Sequence, residues 1–178
     1  MNRSVSARKH VYRLTLDAMM IAIFVVLNMV PSEISWASLP ILLCAFLIGP
    51  VDTVVIALCG SFIEQMWYGL SFYSLIWMLP WLAFSLFVGL LAFAIRKNER
   101  IWKLIPIVVC GEILLNVANT LALCYFGYVS IDFSAAPHLV LWAFILRMPQ
   151  ALIRATLSSV VVPLLLPPLR RVLAKIYR

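Results

Sequence analysis

Positively charged residues in this chain are confined to three short clusters, and long apolar runs separate the clusters. Twelve of the fourteen Lys and Arg residues belong to them: Arg3, Arg8, Lys9 and Arg13; Arg96, Lys97, Arg100 and Lys103; and Arg170, Arg171, Lys175 and Arg178. Loops rich in Lys and Arg stay on the cytoplasmic side of a membrane. The pattern therefore predicts a membrane protein with both termini and one central loop in the cytoplasm.

The composition agrees, because 65% of the residues are hydrophobic, against about 45–50% in soluble domains. A length of 178 residues predicts one transmembrane domain, 1–178, with a basic N-terminal segment 1–13, spans over about 14–166 and a basic tail 167–178. The net charge of +7 does not indicate a nucleic-acid partner, since the basic residues flank apolar spans. We expect them to contact the headgroups of the lipid bilayer.

The apolar runs predict an all-α integral membrane protein in which six transmembrane helices form one bundle. The predicted spans are Leu14–Val30, Leu39–Ile48, a third from the turn at Gly49-Pro50 to Met66, Ser74–Ile95, Trp102–Phe126 and Leu139–Leu166. The second is shorter than the roughly 20 residues that a crossing needs. Pro167 and Pro168 are expected to end the sixth. Six crossings return the chain to its starting side, which agrees with the charge clusters.

Polar residues inside the predicted spans fall on shared helix faces. The fifth span carries Glu112, Asn116 and Asn119, the sixth carries Arg147, Gln150 and Arg154, and the third carries Glu64 near its outer end. A charge at such a depth costs about 2.5–3.5 kcal/mol on insertion scales and indicates a functional site. One interpretation is a solute pocket open to the outside. The other is a buried ion pair, such as Glu112 with Arg154, and the sequence leaves open whether these two residues are pocket or structural.

Aromatic residues crowd the predicted outer ends of the spans, where they form either an ordinary interfacial belt or a lid that excludes water from a flat ligand. The predicted ligand-binding residues are Trp36, Glu64, Trp67, Tyr68, Tyr73, Trp77, Asn116, Asn119, Arg147 and Gln150.

On the first span, Ala18 and Ala22 are spaced i, i+4. Small residues at this spacing let another membrane helix approach closely, so we expect them to bind a partner.

Motifs for catalysis or metal binding are missing from the sequence. It has no Gly-x-x-x-x-Gly-Lys-Ser/Thr loop and no His-Glu-x-x-His, and its four cysteines are scattered. We therefore predict that the chain is not an enzyme, has no catalytic residue, no cofactor and no metal site, and does not hydrolyse ATP through a P-loop. A proton-coupled carrier using Glu64 or Glu112, and a structural membrane protein with buried ion pairs, are the alternatives to a binding subunit.

Four sequence segments occur in an order typical of one transporter family. They are Leu14-Thr15-Leu16-Asp17-Ala18, the stretch from Leu39-Pro40-Ile41 to Ile48-Gly49-Pro50, the run 60–70 and the run 75–80. In these segments the chain resembles the substrate-binding S components of the energy-coupling factor (ECF) vitamin transporters. The resemblance implies a six-helix bundle that binds a vitamin or precursor at the outer side of a bacterial plasma membrane. It also implies a membrane T component and two cytoplasmic ATPases as partners.

The resemblance further implies roles for particular residues. Ala18 and Ala22 would contact the T component, and the connecting loops near Trp36 and from Trp67 to Tyr73 would gate the pocket. Folate-type members carry a Phe-Pro-Gly-Phe-Thr-like run before the fourth helix, whereas this chain has Gly-Leu-Ser-Phe-Tyr at 69–73. Pantothenate, folate and a cobalamin precursor are the candidate ligands, and Arg147 suits a solute with a carboxylate or amide.

Overall fold

The computed structural model describes residues 3–30, 36–95, 101–126 and 137–176, and these ranges are helical throughout apart from short connections. The helices are α1 (Arg3–Met29), α2 (Ser38–Leu47), α3 (Pro50–Tyr68), α4 (Phe72–Ile76), α5 (Met78–Ile95), α6 (Ile101–Phe126) and α7 (Pro137–Ile176). No strand occurs in the described ranges. The prediction of an all-α chain is confirmed for this part of the molecule.

Four helical stretches are long and apolar enough to cross a membrane: His10–Met29, Ser74–Ile95, Trp102–Cys124 and Val140–Ala174. Helix α2 is apolar but has only 10 residues, so it is ~15 Å long, half the roughly 30 Å thickness of the hydrocarbon core. Helix α3 has 19 residues, carries Asp52 and Glu64, and is not among the four. The chain is a multi-pass membrane protein, and the count of six crossings stays a prediction.

Around the aromatic segment, one predicted boundary is wrong and one predicted span contains an unpredicted break. The bounds of the fourth span, Ser74–Ile95, are confirmed as a membrane-capable stretch, but the span is divided at Trp77 into α4 and α5. Trp67 and Tyr68, expected in a loop, form the end of α3. A capping box explains why α4 begins at Phe72: the Ser71 hydroxyl accepts from the Ser74 N–H at 3.2 Å, and the Ser74 hydroxyl accepts from the Ser71 N–H at 2.6 Å. These bonds satisfy backbone donors that a helix start leaves free.

The predicted end of the last span is also wrong, because α7 continues through Pro167 and Pro168 to Ile176. Each proline removes one helical hydrogen bond, but contacts beyond the prolines hold the helix in place. Leu169 packs against the hydrophobic core, and the Arg170 guanidinium donates to the carbonyl of Phe46 at 3.2 Å. The segment 167–176, expected as a tail after the last span, is thus part of α7.

The short helix α2 lies at the centre of the bundle. It contacts α1, α3, α5 and α7, and eight of its ten residues are buried. Gly49 follows it with φ at 152°, a conformation that side chains disfavour, and Pro50 then begins α3. Helix α2 has 10 residues, against 18 to 40 in these four neighbours, and it therefore fills only part of the bundle. Its residues join Phe84, Val88 and Val108 in a continuous apolar core there.

Polar contacts fasten this filled half at the end of the bundle. The Arg13 guanidinium of α1 donates to both carboxylate oxygens of Asp52 in the first turn of α3, at 2.6 and 2.5 Å. The contact between Arg170 and Phe46 joins the end of α7 to the last turn of α2. The N-terminal half of α1 and the C-terminal part of α7 therefore lie at the same end, as a chain with both termini on one side requires. Which side of the membrane this is stays a prediction.

We expect Gly89→Ala to destabilise the bundle, because a Cβ on Gly89 would lie 3.0 Å from the Cα and 3.2 Å from the Cβ of Pro50. Backbone at this distance does not yield easily, and overpacking costs about 1–3 kcal/mol. The measurement is the melting temperature of the purified chain in detergent. Leu90→Ala is the control, since Leu90 is exposed on the bundle surface and should melt near wild type. Equal melting of G89A and wild type would contradict the close approach of α5 to α3.

Candidate functional site

A cavity of about 270 Å³ occupies the other half of the bundle, beyond the start of α2. It is lined by Asn28, Glu64, Gln65, Trp77, Trp81, Asn116, Asn119, Arg147, Gln150 and Arg154. The end of the bundle at which Arg13 contacts Asp52 and Arg170 contacts Phe46 is called the fastened end. The cavity residues are far from it: along their helices, Asn28 is ~22 Å from Arg13, and Arg147 is ~34 Å from Arg170. Polar side chains of α1, α3, α6 and α7 thus meet in one hollow, with tryptophans beside them.

Helical periodicity explains the placement of these side chains. On α7, Arg147, Gln150 and Arg154 are three and four residues apart, so they share one face. Asn116 and Asn119 share a face of α6 for the same reason. Residues of this kind in a membrane helix face the bundle interior or a water-filled cavity, since exposure to lipid is costly.

The structure brings together six of the ten residues predicted to bind a ligand. Glu64, Trp77, Asn116, Asn119, Arg147 and Gln150 all line the cavity. The shared lining shows only that these six side chains lie close together. Their role in binding a solute stays a prediction.

The remaining predicted residues are not part of this lining. Trp36 is half-buried, and Trp67 and Tyr68 are 74% and 67% exposed at the end of α3. The side chain of Tyr73 lies outside the described residues, as do the connecting segments 31–35 and 127–136. A gating role for these aromatic residues therefore stays a prediction. Ala18 and Ala22 are exposed on α1, where another helix could reach them.

Four lining residues were not among the predicted ligand-binding set: Asn28, Gln65, Trp81 and Arg154. Asn28 is a polar residue near the end of an apolar helix, which is the same signal that singled out Glu64. Gln65 neighbours Glu64 in sequence. Trp81 had no such signal, because its inward position follows from packing: its ring meets those of Phe24 and Phe84 edge to face, at 5.0 and 6.4 Å between centroids.

Arg154 and Glu112 form a buried ion pair beneath the cavity. The Arg154 Nε lies 3.5 Å from the Glu112 Oε2, and the two side chains are 12% and 0% exposed. The two atoms are close enough to pair as charges but do not form a hydrogen bond. The Ser158 hydroxyl donates to the other Glu112 oxygen at 3.4 Å, and Ser38 at the start of α2 lies beside the same carboxyl.

The sequence left open whether Glu112 and Arg154 belong to the pocket or to the structural framework, and Arg154 belongs to both. Its side chain lines the cavity and at the same time pairs with Glu112, so it belongs to both the pocket and the framework. Glu112 itself is not part of the lining. The cluster joins α2, α6 and α7 at the level where the central helix begins.

Within the described ranges, no three His, Cys, Asp or Glu side chains are grouped as a metal site would need. The lining offers amide, carboxylate, guanidinium and indole groups. Groups of this kind are typical of pockets for polar organic solutes, which they bind through hydrogen bonds and ring contacts.

Neutralising one member of the buried pair should destabilise the fold. In Glu112→Gln the Arg154 charge loses its partner, and breaking one side of a buried ion pair costs about 3–5 kcal/mol. We expect a lower melting temperature in detergent for the single variant. The matched control is the double variant Glu112→Gln, Arg154→Gln, which carries neither charge and should recover part of the loss. If the double variant melts at or below the single one, the two charges are not coupled.

The sequence and the geometry agree with one family of transport proteins. A search of curated proteins finds no match to this chain. The sequence model of the family described as "ECF transporter, substrate-specific component" matches residues 12–166, which include α2 to α6 and most of α1 and α7. This match confirms the resemblance inferred from the sequence segments. The chain belongs to the family of substrate-specific components of ECF transporters.

Proposed function

We propose that this chain binds a small water-soluble vitamin or vitamin precursor at the outer face of a bacterial plasma membrane and passes it to an ECF transporter. In this proposal α2 and α3 complete a bundle of six crossings. The single observation that carries the proposal is the cavity itself, in which polar side chains from four helices converge inside an apolar bundle. Membership of the family makes a transport subunit the appropriate class.

From the positions of the Lys and Arg residues, we infer that the cavity faces outward. The described basic residues Arg13, Arg170 and Arg171 lie on segments at the fastened end, and Lys and Arg mark the cytoplasmic side. The cavity is near the opposite end of the bundle. It would therefore receive solute from outside the cell.

The cavity's volume supports a compact ligand. A volume of about 270 Å³ lies near the lower end of the roughly 300–1,000 Å³ that is typical of ligand pockets. Among the three candidates, pantothenate is smaller than folate and so suits a compact cavity better. The absence of a folate-like run at 69–73 points the same way.

The partners follow from the family. An S component binds solute without ATP, and a membrane T component with two cytoplasmic ATPases supplies the energy for release. Ala18 and Ala22 on the exposed face of α1 would let a helix of the T component approach closely. The chain itself has no catalytic role in this scheme.

We expect uptake to need the partners, whereas binding does not. Cells expressing this chain with a T component and two ATPases should accumulate radiolabelled pantothenate, and cells expressing this chain alone should not. The purified chain should still bind the same label in equilibrium dialysis without ATP. Accumulation by the chain alone would contradict the proposed division of labour and favour a self-sufficient carrier.

Replacing Ala18 and Ala22 by leucine should separate docking from binding. Two larger side chains on the stripe would hold a partner helix away, so uptake should fall at least about tenfold, a loss of about 1.4 kcal/mol of docking free energy. Binding of labelled pantothenate to the purified variant should stay at the wild-type level. Val26→Leu, also exposed on α1, is the control and should keep full uptake. Loss of binding together with uptake would argue that the stripe supports the fold.

A further inference from the structure

The two arginines of the cavity are in different electrostatic situations. Arg154 faces the buried Glu112 carboxylate at 3.5 Å, so the protein already offsets its charge. Arg147 lines the same cavity and has no ion pair within the described ranges of the chain. Arg147 also lies close enough to Arg154 for the two charges to repel each other. An anionic group placed between α7 and the cavity centre would therefore be attracted chiefly by Arg147.

The opposite wall presents an acceptor. Glu64 of α3 lines the cavity, and its buried Oε2 has no hydrogen-bond partner in the part of the chain that the structure describes. Asn28 of α1 lies beside the same carboxyl. An acceptor that stays unsatisfied when water is excluded costs about 1–3 kcal/mol, and more if it is charged. Hydrogen-bond donors from a solute would remove this cost.

Two of the four ionisable groups in and beneath the cavity therefore compensate each other. Glu112 compensates Arg154, and this leaves one guanidinium, that of Arg147, and one carboxyl group, that of Glu64, for the ligand. A ligand with only an anionic group would leave Glu64 unsatisfied, and one with only donor groups would leave Arg147 unsatisfied. Burial of either group without a partner opposes binding.

We propose that the cavity selects solutes with a carboxylate at one end, bound by Arg147, and hydroxyl or N–H donors at the other end, bound by Glu64. This inference rests on the proposed function and names the ligand class. Arg154 is a positioning residue that keeps Glu112 neutralised and shapes the floor. The middle of the ligand lies against Trp81, whose ring is held by Phe24 and Phe84 and so forms a fixed apolar wall.

The experiment compares the melting temperature of the purified chain in detergent with each member of a fixed set of compounds. Pantothenate, biotin and folate carry a carboxylate and donors. Nicotinate carries a carboxylate without N–H or O–H donors, and pyridoxine, riboflavin and thiamine carry donors without a carboxylate. We expect the largest rise in melting temperature from a member of the first group and little from nicotinate.

Two variants then test the contacts with the compound that gives the largest rise. Glu64→Gln keeps the size of the side chain and replaces its carboxyl with an amide, and Arg147→Gln removes the guanidinium. Each should raise the Kd roughly 10- to 100-fold, as expected for the loss of hydrogen bonds to a charged group. Ile63→Val and Leu146→Val alter neighbouring side chains that are 45% and 73% exposed and should leave the Kd unchanged.

The results distinguish a failure of the inferred ligand class from a failure of the proposed function. The inference holds if a compound of the first group binds best and both charged positions weaken it. It is overturned, with the proposed function intact, if nicotinate or a compound without a carboxylate binds best, or if either charged variant binds like wild type. If no compound raises the melting temperature and no uptake occurs with the partners present, the proposed function fails and the ligand class fails with it.

Discussion

The contact between Arg154 and Glu112 is the interaction on which the interior of this bundle depends. In hydrocarbon a lone charge is expensive, so two opposite charges at this depth must meet each other. The contact fixes how α6 and α7 are rotated about their own axes. Asn116 and Asn119 lie on the same side of α6 as Glu112. Arg147 and Gln150 lie on the same side of α7 as Arg154. The pair thereby turns the polar face of each helix towards the interior.

The cavity exists because the central helix is short. Helix α2 contacts four neighbours but spans only ~15 Å, and it begins beside the Glu112 carboxyl. Below that level its buried side chains and those of α5, α6 and α7 fill the bundle. Above that level the described helices leave a cavity, and polar side chains line it. The length of one ten-residue segment thus divides the described part of the bundle into an apolar half and a half with a polar cavity.

Sequence patterns predicted the features that follow from the polarity of single residues. The helical class and the facing of Glu64, Asn116, Arg147 and Gln150 into one hollow follow from the cost of polar groups in lipid, which acts position by position. The division of the fourth span at Trp77 and the continuation of α7 through Pro167 and Pro168 did not follow. The first depends on the backbone at Trp77, whose N–H bonds to the Ser74 carbonyl three residues back, and the second on a contact with Phe46 far away in sequence.

Residues that line the cavity through packing were equally hard to predict. Trp81 and Trp67 are both tryptophans near predicted helix ends, yet Trp81 is 8% exposed and Trp67 is 74% exposed. The difference comes from Phe24, which reaches Trp81 from α1. No local sequence pattern predicts such a contact, because the contact depends on how α1 and α5 cross.

The filled half of the bundle has a consequence for the energy supply of the cell. Eight of ten residues of α2 are buried, and the apolar side chains around them leave a continuous core at the fastened end. Such a region has a low dielectric constant and opposes the passage of hydronium and other small ions. A cell could therefore hold many copies of this subunit, each with a water-accessible hollow on one side, without short-circuiting the electrochemical gradient across its membrane.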